Sequence, residues 1–513
     1  MLFNSFEFLG LFLPLTLMLW GLARWLGARL GGLGLGLRLG LGVLTLASLL
    51  FYGDWNAAYL PLLVASVAVD FVIGQRILRA RRLGAGQRAG RWMWLGVGLN
   101  LGVLGVFKYA WFVADNLAAL AGTAVPFGPL VLPLGISFIT FQKIAYLVDC
   151  RRGLVRQSRF LEYVFFVTFF PQLIAGPIVH HRGLIAQLDA RGNPLLANGP
   201  PWSLALMLFA IGLFKKTVLA DQFALFADPV FAAASSGAVA GAQAWQGMLA
   251  YTLQLYFDFS GYADMALGLG LLFGLKLPVN FDSPYRARSI IEFWRRWNIT
   301  LSQFLRDYLY IPLGGGRRGE GRRALNLLLT MLLGGLWHGA GWTFIAWGGL
   351  HGLFLLINHR WRGLLERHAG LRARAARVPD WCWVGLTFSV VALAWVPFRA
   401  EHFAAAARLY AGLLRLDELG AALGDAAWPP TLGFWQAFLA AEPAAVWSWL
   451  ALGLAIVWLL PTGWRWAGYD AEPNQRPRAR GGLAAGLLTG TLLWMGLKAL
   501  ATSPASPFLY FNF

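Results

Sequence analysis

Residues 325–357 read LNLLLTMLLGGLWHGAGWTFIAWGGLHGLFLLI, 33 residues without a single Asp, Glu, Lys or Arg. Arg317, Arg318, Arg322 and Arg323 precede this stretch, and His359, Arg360, Arg362 and Arg367 follow it. Basic residues mark the cytoplasmic ends of membrane segments, so both flanks read as the same side and an even number of crossings is required. Two full spans of about 20 residues each do not fit into the apolar run. The segment is expected to enter the membrane, turn at the glycines of GGLWHGAGW and leave again, carrying His338 partway into the hydrocarbon. A long, tilted and kinked helix would hold His338 at a similar depth.

The rest of the chain has the same character. Of its 513 residues 58% are hydrophobic and only 13% charged, well below the charged share of a soluble protein. Apolar runs recur at Phe6–Trp25, Leu39–Tyr52, Ala57–Ile73, Trp92–Val113, Pro129–Val148, Trp202–Leu219, Gly247–Leu275, Trp381–Val396, Val446–Leu460 and Leu483–Leu500. With the opening stretch they predict an all-α polytopic membrane protein of about 11 transmembrane segments in one membrane domain, 1–513. The first run lacks a basic leader and carries Glu7, so it reads as a retained helix rather than a signal peptide.

A formal charge of +19 raises the question of nucleic acid, but its placement argues against that partner. Arg24, Arg29 and Arg38, then Arg76 to Arg91, then Arg151 to Arg159 fill every second loop, with Asp54 and Asp115 on the opposite side. This pattern fixes orientation and predicts an extracytoplasmic N-terminus. A basic cytoplasmic face also attracts anionic headgroups or a phosphorylated acyl donor. Cys150 and Cys382 match no metal or redox spacing and read as packing residues. The chain has no internal repeat; Gly31–Gly42 is its one Gly/Leu-rich tract.

Two segments resist assignment as simple spans. Phe160–Pro177 is apolar but interrupted by Pro171 and flanked by basic residues on both sides, which fits a re-entrant or in-plane segment. Ser289–Tyr310, SIIEFWRRWNITLSQFLRDYLY, contains Glu292, Trp294, Arg295, Arg296, Arg306 and Asp307. It is too polar for lipid and is expected as an amphipathic helix at the interface or beside a cavity.

Ionisable groups at membrane depth are costly and are functional candidates by default. His338 is the best placed, as a general base able to accept a hydroxyl proton; the structural alternative is a neutral imidazole satisfied by a neighbouring helix. His351, 13 residues on, is assigned a structural role, and His180, His181, His359, His368 and His402 are expected near solvent. QLYFDFSGYAD (254–264) puts Asp258 and Tyr262 on one helix face, with Ser260 and Asp264 on an adjacent one. The arginines at 286, 288, 295, 296 and 306 are the nearest expected partners for these carboxylates. No spacing makes a metal site, and neither a G-x-S-x-G elbow nor a P-loop is present.

LPLGISFITFQKIAYLVD, FFPQLIAGPI, GLFKKTVLAD, YTLQLYFDFSGYADMALGLGLLFGLKLPVNFDSPY, IIEFWRRWNITLSQFLRDYLYIPLGG and LLTMLLGGLWHGAGWTFIAWGGLHG run in order from about Leu132 to Gly352. In these motifs the chain resembles the membrane-bound O-acyltransferase superfamily, in its bacterial alginate O-acetyltransferase-like branch. The resemblance implies a catalytic core over 132–352, further transmembrane helices over 381–500, and an irregular bundle around a membrane-crossing funnel. His338 corresponds to the invariant family histidine. Close bacterial relatives usually carry a second histidine where this chain has Asn298, which cannot titrate and is left to orient or hydrogen-bond a substrate. Gln142, Asp258, Ser260, Tyr262, Asp264, Glu292, Trp294, Arg295, Arg296, Arg306, Asp307 and Trp337 are the implied tunnel-lining residues.

By the same resemblance the donor is a cytoplasmic thioester, acetyl-CoA above all, with no permanently bound cofactor. The acceptor is an extracytoplasmic polysaccharide such as alginate, reached directly or through an extracytoplasmic acetyltransferase partner; cell-wall peptidoglycan or teichoic acid is the alternative. The implied location is the bacterial inner membrane. A transporter or flippase is the rival of another class, and it predicts two related halves with paired broken helices, which the sequence lacks.

Overall fold

The computed structural model describes residues 1–125, 127–188, 193–424, 445–470, 472, 481–502 and 506–509, with side chains left out for 421–424. All regular elements among the described residues are helices, as expected where lipid offers the backbone no hydrogen-bond partners. Five helical runs are long and apolar enough to cross a membrane: Phe8–Arg82, Gly86–Ala121, Trp202–Ser236, Asp380–Arg399 and Leu483–Thr502. The first is 75 residues long, several times the length of one span.

That first run breaks where the Gly/Leu-rich tract begins. Helix Leu13–Asn56 loses helical geometry at Gly31 and at Gly32, where φ is +80°, a conformation cheap only for glycine. The chain folds back there, and Gly27 and Gly36 approach so closely that a Cβ on either collides with backbone across the break. The low-complexity tract is therefore a helical hairpin.

The chain forms two compact units. One comprises Met1–Leu213, Tyr262–Val279 and the described part of Gly463–Asn512; the other comprises Phe214–Gly261 and the described part of Asn280–Thr462. In the first, helices Leu60–Arg82, Gly86–Leu104 and Ile136–Arg152 meet around a buried pair, Lys143 Nζ to Asp70 at 3.0 Å, and Asn100 Nδ2 donates to both Asp70 oxygens. The anticipated break in Phe160–Pro177 falls at Phe169 (φ −50°, ψ 109°), between helices Phe160–Thr168 and Phe170–Leu173. Pro171 sits in the first turn of the second helix, where its missing N–H costs nothing.

The second unit holds the hairpin. Helices Gly319–His338 and Trp342–Arg367 are 20 and 26 residues long. Both extend into their arginine-rich flanks, which is how two helices fit around an apolar run too short for two spans. The uncharged part of the first, from Ala324 to His338, is about 22 Å long, short of a hydrocarbon core of roughly 30 Å. His338 closes that helix, as the turn reading requires.

Small residues let the two helices touch. A Cβ on Gly335 collides with the Phe344 carbonyl oxygen, and one on Gly348 with that of Met331. Backbone on both sides leaves no flexible atom to give way. Gly348→Ala is expected to lower stability by about 1–3 kcal/mol, the usual cost of overpacking, whereas Gly349→Ala, with only the Leu332 side chain nearby, is expected to cost under about 0.5 kcal/mol. Thermal unfolding in detergent micelles compares the two; equal melting temperatures would remove the close-contact reading.

Candidate active site

The segment 280–300 builds one wall of the site. The Ile299 backbone N–H donates to the Asn280 carbonyl at 3.0 Å, and that of Asp282 to the Arg296 carbonyl at 2.9 Å. Asn280 Oδ1 accepts from the Thr300 hydroxyl at 2.7 Å. The NFDSPY stretch thereby clamps FWRRWN from behind. The amphipathic helix expected over Ser289–Tyr310 is broken into Ile290–Arg296, Ile299–Leu305 and Arg306–Tyr310, and it turns at Asn298.

Asn298 has φ 41° and ψ 57°, the left-handed region that Asn tolerates better than most side chains. Backbone geometry alone thus suits Asn here. It does not account for the amide. Asn298 is 1% exposed, and neither Oδ1 nor Nδ2 finds a hydrogen-bond partner among the described residues. A buried amide left unsatisfied costs on the order of 1–3 kcal/mol, which a bound hydroxyl or carbonyl recovers.

His338 is 4% exposed and enclosed by rings. Trp337, Trp347 and Phe398 meet it nearly edge to face, with centroids at 4.8, 5.0 and 5.3 Å. In this structure the three rings close around the imidazole. Trp347 is the hub. Its ring also meets Trp395, Phe398, Trp294 and His351, and Trp395 meets Trp297, the neighbour of Asn298. His338 and Asn298 are linked through a chain of indoles, Trp347, Trp395 and Trp297, and not by a direct hydrogen bond.

His351 departs furthest from expectation. It is fully buried against Trp347, Trp294, Phe293 and Phe354, and neither ring nitrogen has a partner among the described residues. A structural histidine would be hydrogen-bonded. His181, expected near solvent, is also buried, against Tyr146 and Phe166. His402 instead caps helix Phe403–Leu413, accepting from the Ala405 N–H.

The carboxylate network is differently composed from the one anticipated. Asp258 pairs with Lys216 at 2.9 Å, and Lys216 also holds Asp221 at 2.8 Å. Both come from GLFKKTVLAD, because helix Gly241–Leu272 runs Asp258 past that segment. The arginines expected there pair elsewhere: Arg288 with Asp380, Arg296 with Glu292 and Arg306 with Asp307. Arg295 is exposed. Ser260 is buried in the second unit, whereas Tyr262, Asp264 and Gln142 are buried in the first. Tyr262 stacks on Phe3 and meets Phe508 edge-on.

A groove of about 880 Å³ opens beside the cage. Ser289, Ile290 and Glu292 line it from one helix, Phe354, Asn358, Trp361, Arg362 and Leu365 from the second hairpin helix, and Trp383, Leu386, Thr387 and Val390 from Asp380–Arg399. These are the helices that supply Trp294, His351 and Trp395 to the cage. Sequence reading passed over Trp347, Trp395 and Phe398; the i, i+4 spacing of Trp347 and His351 was the available signal.

The model of MBOAT, the membrane-bound O-acyltransferase family, matches residues 108–393. The chain is 44% identical over 401 residues to a peptidoglycan O-acetyltransferase of Helicobacter pylori, covering 73% of each chain. It is 42% identical over 427 residues to the probable alginate O-acetylase AlgI of Pseudomonas putida, covering 82% of this chain and 81% of that one. To a teichoic acid D-alanyltransferase of Streptococcus thermophilus it is 32% identical over 238 residues, 44% of this chain and 57% of the relative.

Proposed function

This chain belongs to the membrane-bound O-acyltransferase family and is an acyltransferase, and from that premise we propose that it transfers acetyl from a cytoplasmic thioester, acetyl-CoA, to hydroxyls of an extracytoplasmic polysaccharide. The observation that carries this reading is the hairpin that ends one helix on His338 within an aromatic cluster, with the unsatisfied Asn298 amide beside Trp297 of the same cluster. His338 takes the proton as the acceptor oxygen attacks the thioester carbonyl carbon. Asn298 Nδ2 donates to the carbonyl oxygen as it gains charge. The C–S bond then breaks, the thiolate recovers the proton from the imidazolium, and an ester and a free thiol are left.

Because His338 is closed in, the acceptor reaches it only after one of Trp337, Trp347 or Phe398 turns aside. The arginine-flanked end of the hairpin favours a phosphorylated donor on the cytoplasmic side. On this reading the chain works in a bacterial inner membrane, with its N-terminus outside, and the group reaches the glycan directly or through an extracytoplasmic acetyltransferase partner. A transporter role is set aside with the family assignment.

The likeness to AlgI over 82% of the chain supports an alginate-type exopolysaccharide as acceptor. The identity to the peptidoglycan O-acetyltransferase supports the cell wall as the second reading. Deleting the gene and measuring ester-linked acetate in each envelope polymer separates them. Loss from an exopolysaccharide supports the first, loss from peptidoglycan the second, and unchanged ester in every polymer contradicts both. Within the enzyme, Asn298→Gly, which keeps the left-handed turn, is expected to lower the transfer rate by roughly 10²-fold, as for removal of one oxyanion donor, with a melting temperature within a few degrees of wild type. An unaltered rate removes Asn298 from the mechanism.

A further inference from the structure

His351 is the least explained group in the second unit. It is 0% exposed, and both ring nitrogens are buried without a partner. A neutral imidazole offers one N–H donor and one acceptor. The rings around it bring two more donors in the same condition, the indole N–H groups of Trp294 and Trp347. Such a cluster is costly unless something satisfies it. The matching ligand presents a carbonyl and an N–H together, which is an amide.

The groove wall lies one ring away from this point. Phe354 belongs to its wall and also meets the His351 ring at 5.9 Å. Positions 351, 354, 358, 361, 362 and 365 recur at helical spacing and share one face of Trp342–Arg367. Along this face the wall is apolar but for Asn358 until it reaches Arg362, about 16 Å from His351 along the axis; Arg288, Glu292 and Arg372 also line the groove. The carbonyl oxygen of the Asn358 side chain, partway along, is a further buried acceptor without a partner. A largely apolar groove with guanidinium groups in its lining, and with orphaned amide-matching groups one ring behind its wall, has the pattern of a pantetheine arm ending in phosphates.

We propose that His351 is a donor-binding residue, hydrogen-bonded to an amide of the pantetheine arm so that the thioester beyond it is delivered past Trp347 to His338. This rests on the reading of a coenzyme A thioester as donor. His351 neither accepts the substrate proton nor forms a bond to acyl. It sets where the carbonyl carbon stops.

The test uses the full-length protein in nanodiscs, with alginate oligosaccharide as acceptor and thiol release as readout. The donors are acetyl-CoA, S-acetyl-N-acetylcysteamine, which keeps one amide, and S-butyl thioacetate, which has none. Wild type is expected to favour the amide-bearing short donor over the amide-free one in kcat/KM. His351→Phe, which fills the aromatic site and removes two unsatisfied atoms, is expected to melt no lower than wild type. Its KM for acetyl-CoA is expected to rise roughly tenfold at near-constant kcat, the effect of one lost hydrogen bond in binding, and its preference between the two short donors to vanish. His351→Gln, which keeps a donor and an acceptor, is expected to recover part of both. An unchanged KM and preference in His351→Phe overturns the proposal, as does an equal loss on both short donors. A wild type that releases thiol from none of the three overturns the thioester reading and the proposal with it.

Discussion

Lys216→Met lowers the stability of the protein by about 3–5 kcal/mol, the expected result of stranding a buried carboxylate without its cation. Lys216 Nζ lies 2.9 Å from Asp258 and 2.8 Å from Asp221. The two acids are not equivalent. The Asp258 side chain is 2% exposed and that of Asp221 31%, so water compensates Asp221 while the buried Asp258 loses a cation that solvent does not replace. Combining Lys216→Met with Asp258→Leu removes both charges and is expected to restore most of the loss, since an apolar pair of similar volume often matches a buried ion pair. Unfolding of the two single variants and the double variant in detergent gives the coupling directly. If the double variant is as unstable as the sum of the singles, the pair is not the source of the effect.

His338→Gln is expected to lower acyl transfer by about 10²–10⁴-fold, the range attributed to a positioned acid–base group. Gln fits a similar volume and can still hydrogen-bond, but it cannot take and return a proton. Asn298 cannot substitute, because an amide does not titrate. The aromatic surroundings sharpen this expectation. Trp337, Trp347 and Phe398 fill the space around the ring, so the enclosure is held by contacts that Gln leaves in place and the melting temperature is expected to stay within a few degrees. A comparable fall in stability would instead assign His338 to packing.

The parts of the fold legible in the sequence were those governed by the membrane. Charge on both flanks of 325–357 and glycines at its centre required a turn, and the chain turns at residues 339–341, immediately after His338. What that arithmetic missed is that the helices extend into the charged flanks. Pro171 signalled a break near its true place, because proline restricts the residue before the helix it starts. Partners of buried charges were not legible. Sequence proximity pointed Asp258 at the arginines beyond Arg286, while a 32-residue helix carried it to Lys216, 42 positions earlier.

Within the site, single residues were legible and their enclosure was not. His338 and Asn298 stood out by residue type and by motif. The left-handed turn at Asn298 did not, because no glycine announces it. His351 reads from sequence as an ordinary helix residue; only its fully aromatic surroundings, assembled from three helices far apart in the chain, reveal two nitrogens with nothing to bond.

One measurement bears most directly on His338 as the base that moves the acceptor proton. Purified wild type and His338→Gln, reconstituted into liposomes and matched in melting temperature, are given labelled acetyl-CoA and the acceptor glycan, and ester-linked label in the glycan is followed over time. The expected result is steady incorporation by wild type and a rate at least about 10²-fold lower for the variant. Incorporation by His338→Gln at the wild-type rate would contradict the assignment and leave the hairpin turn as packing alone.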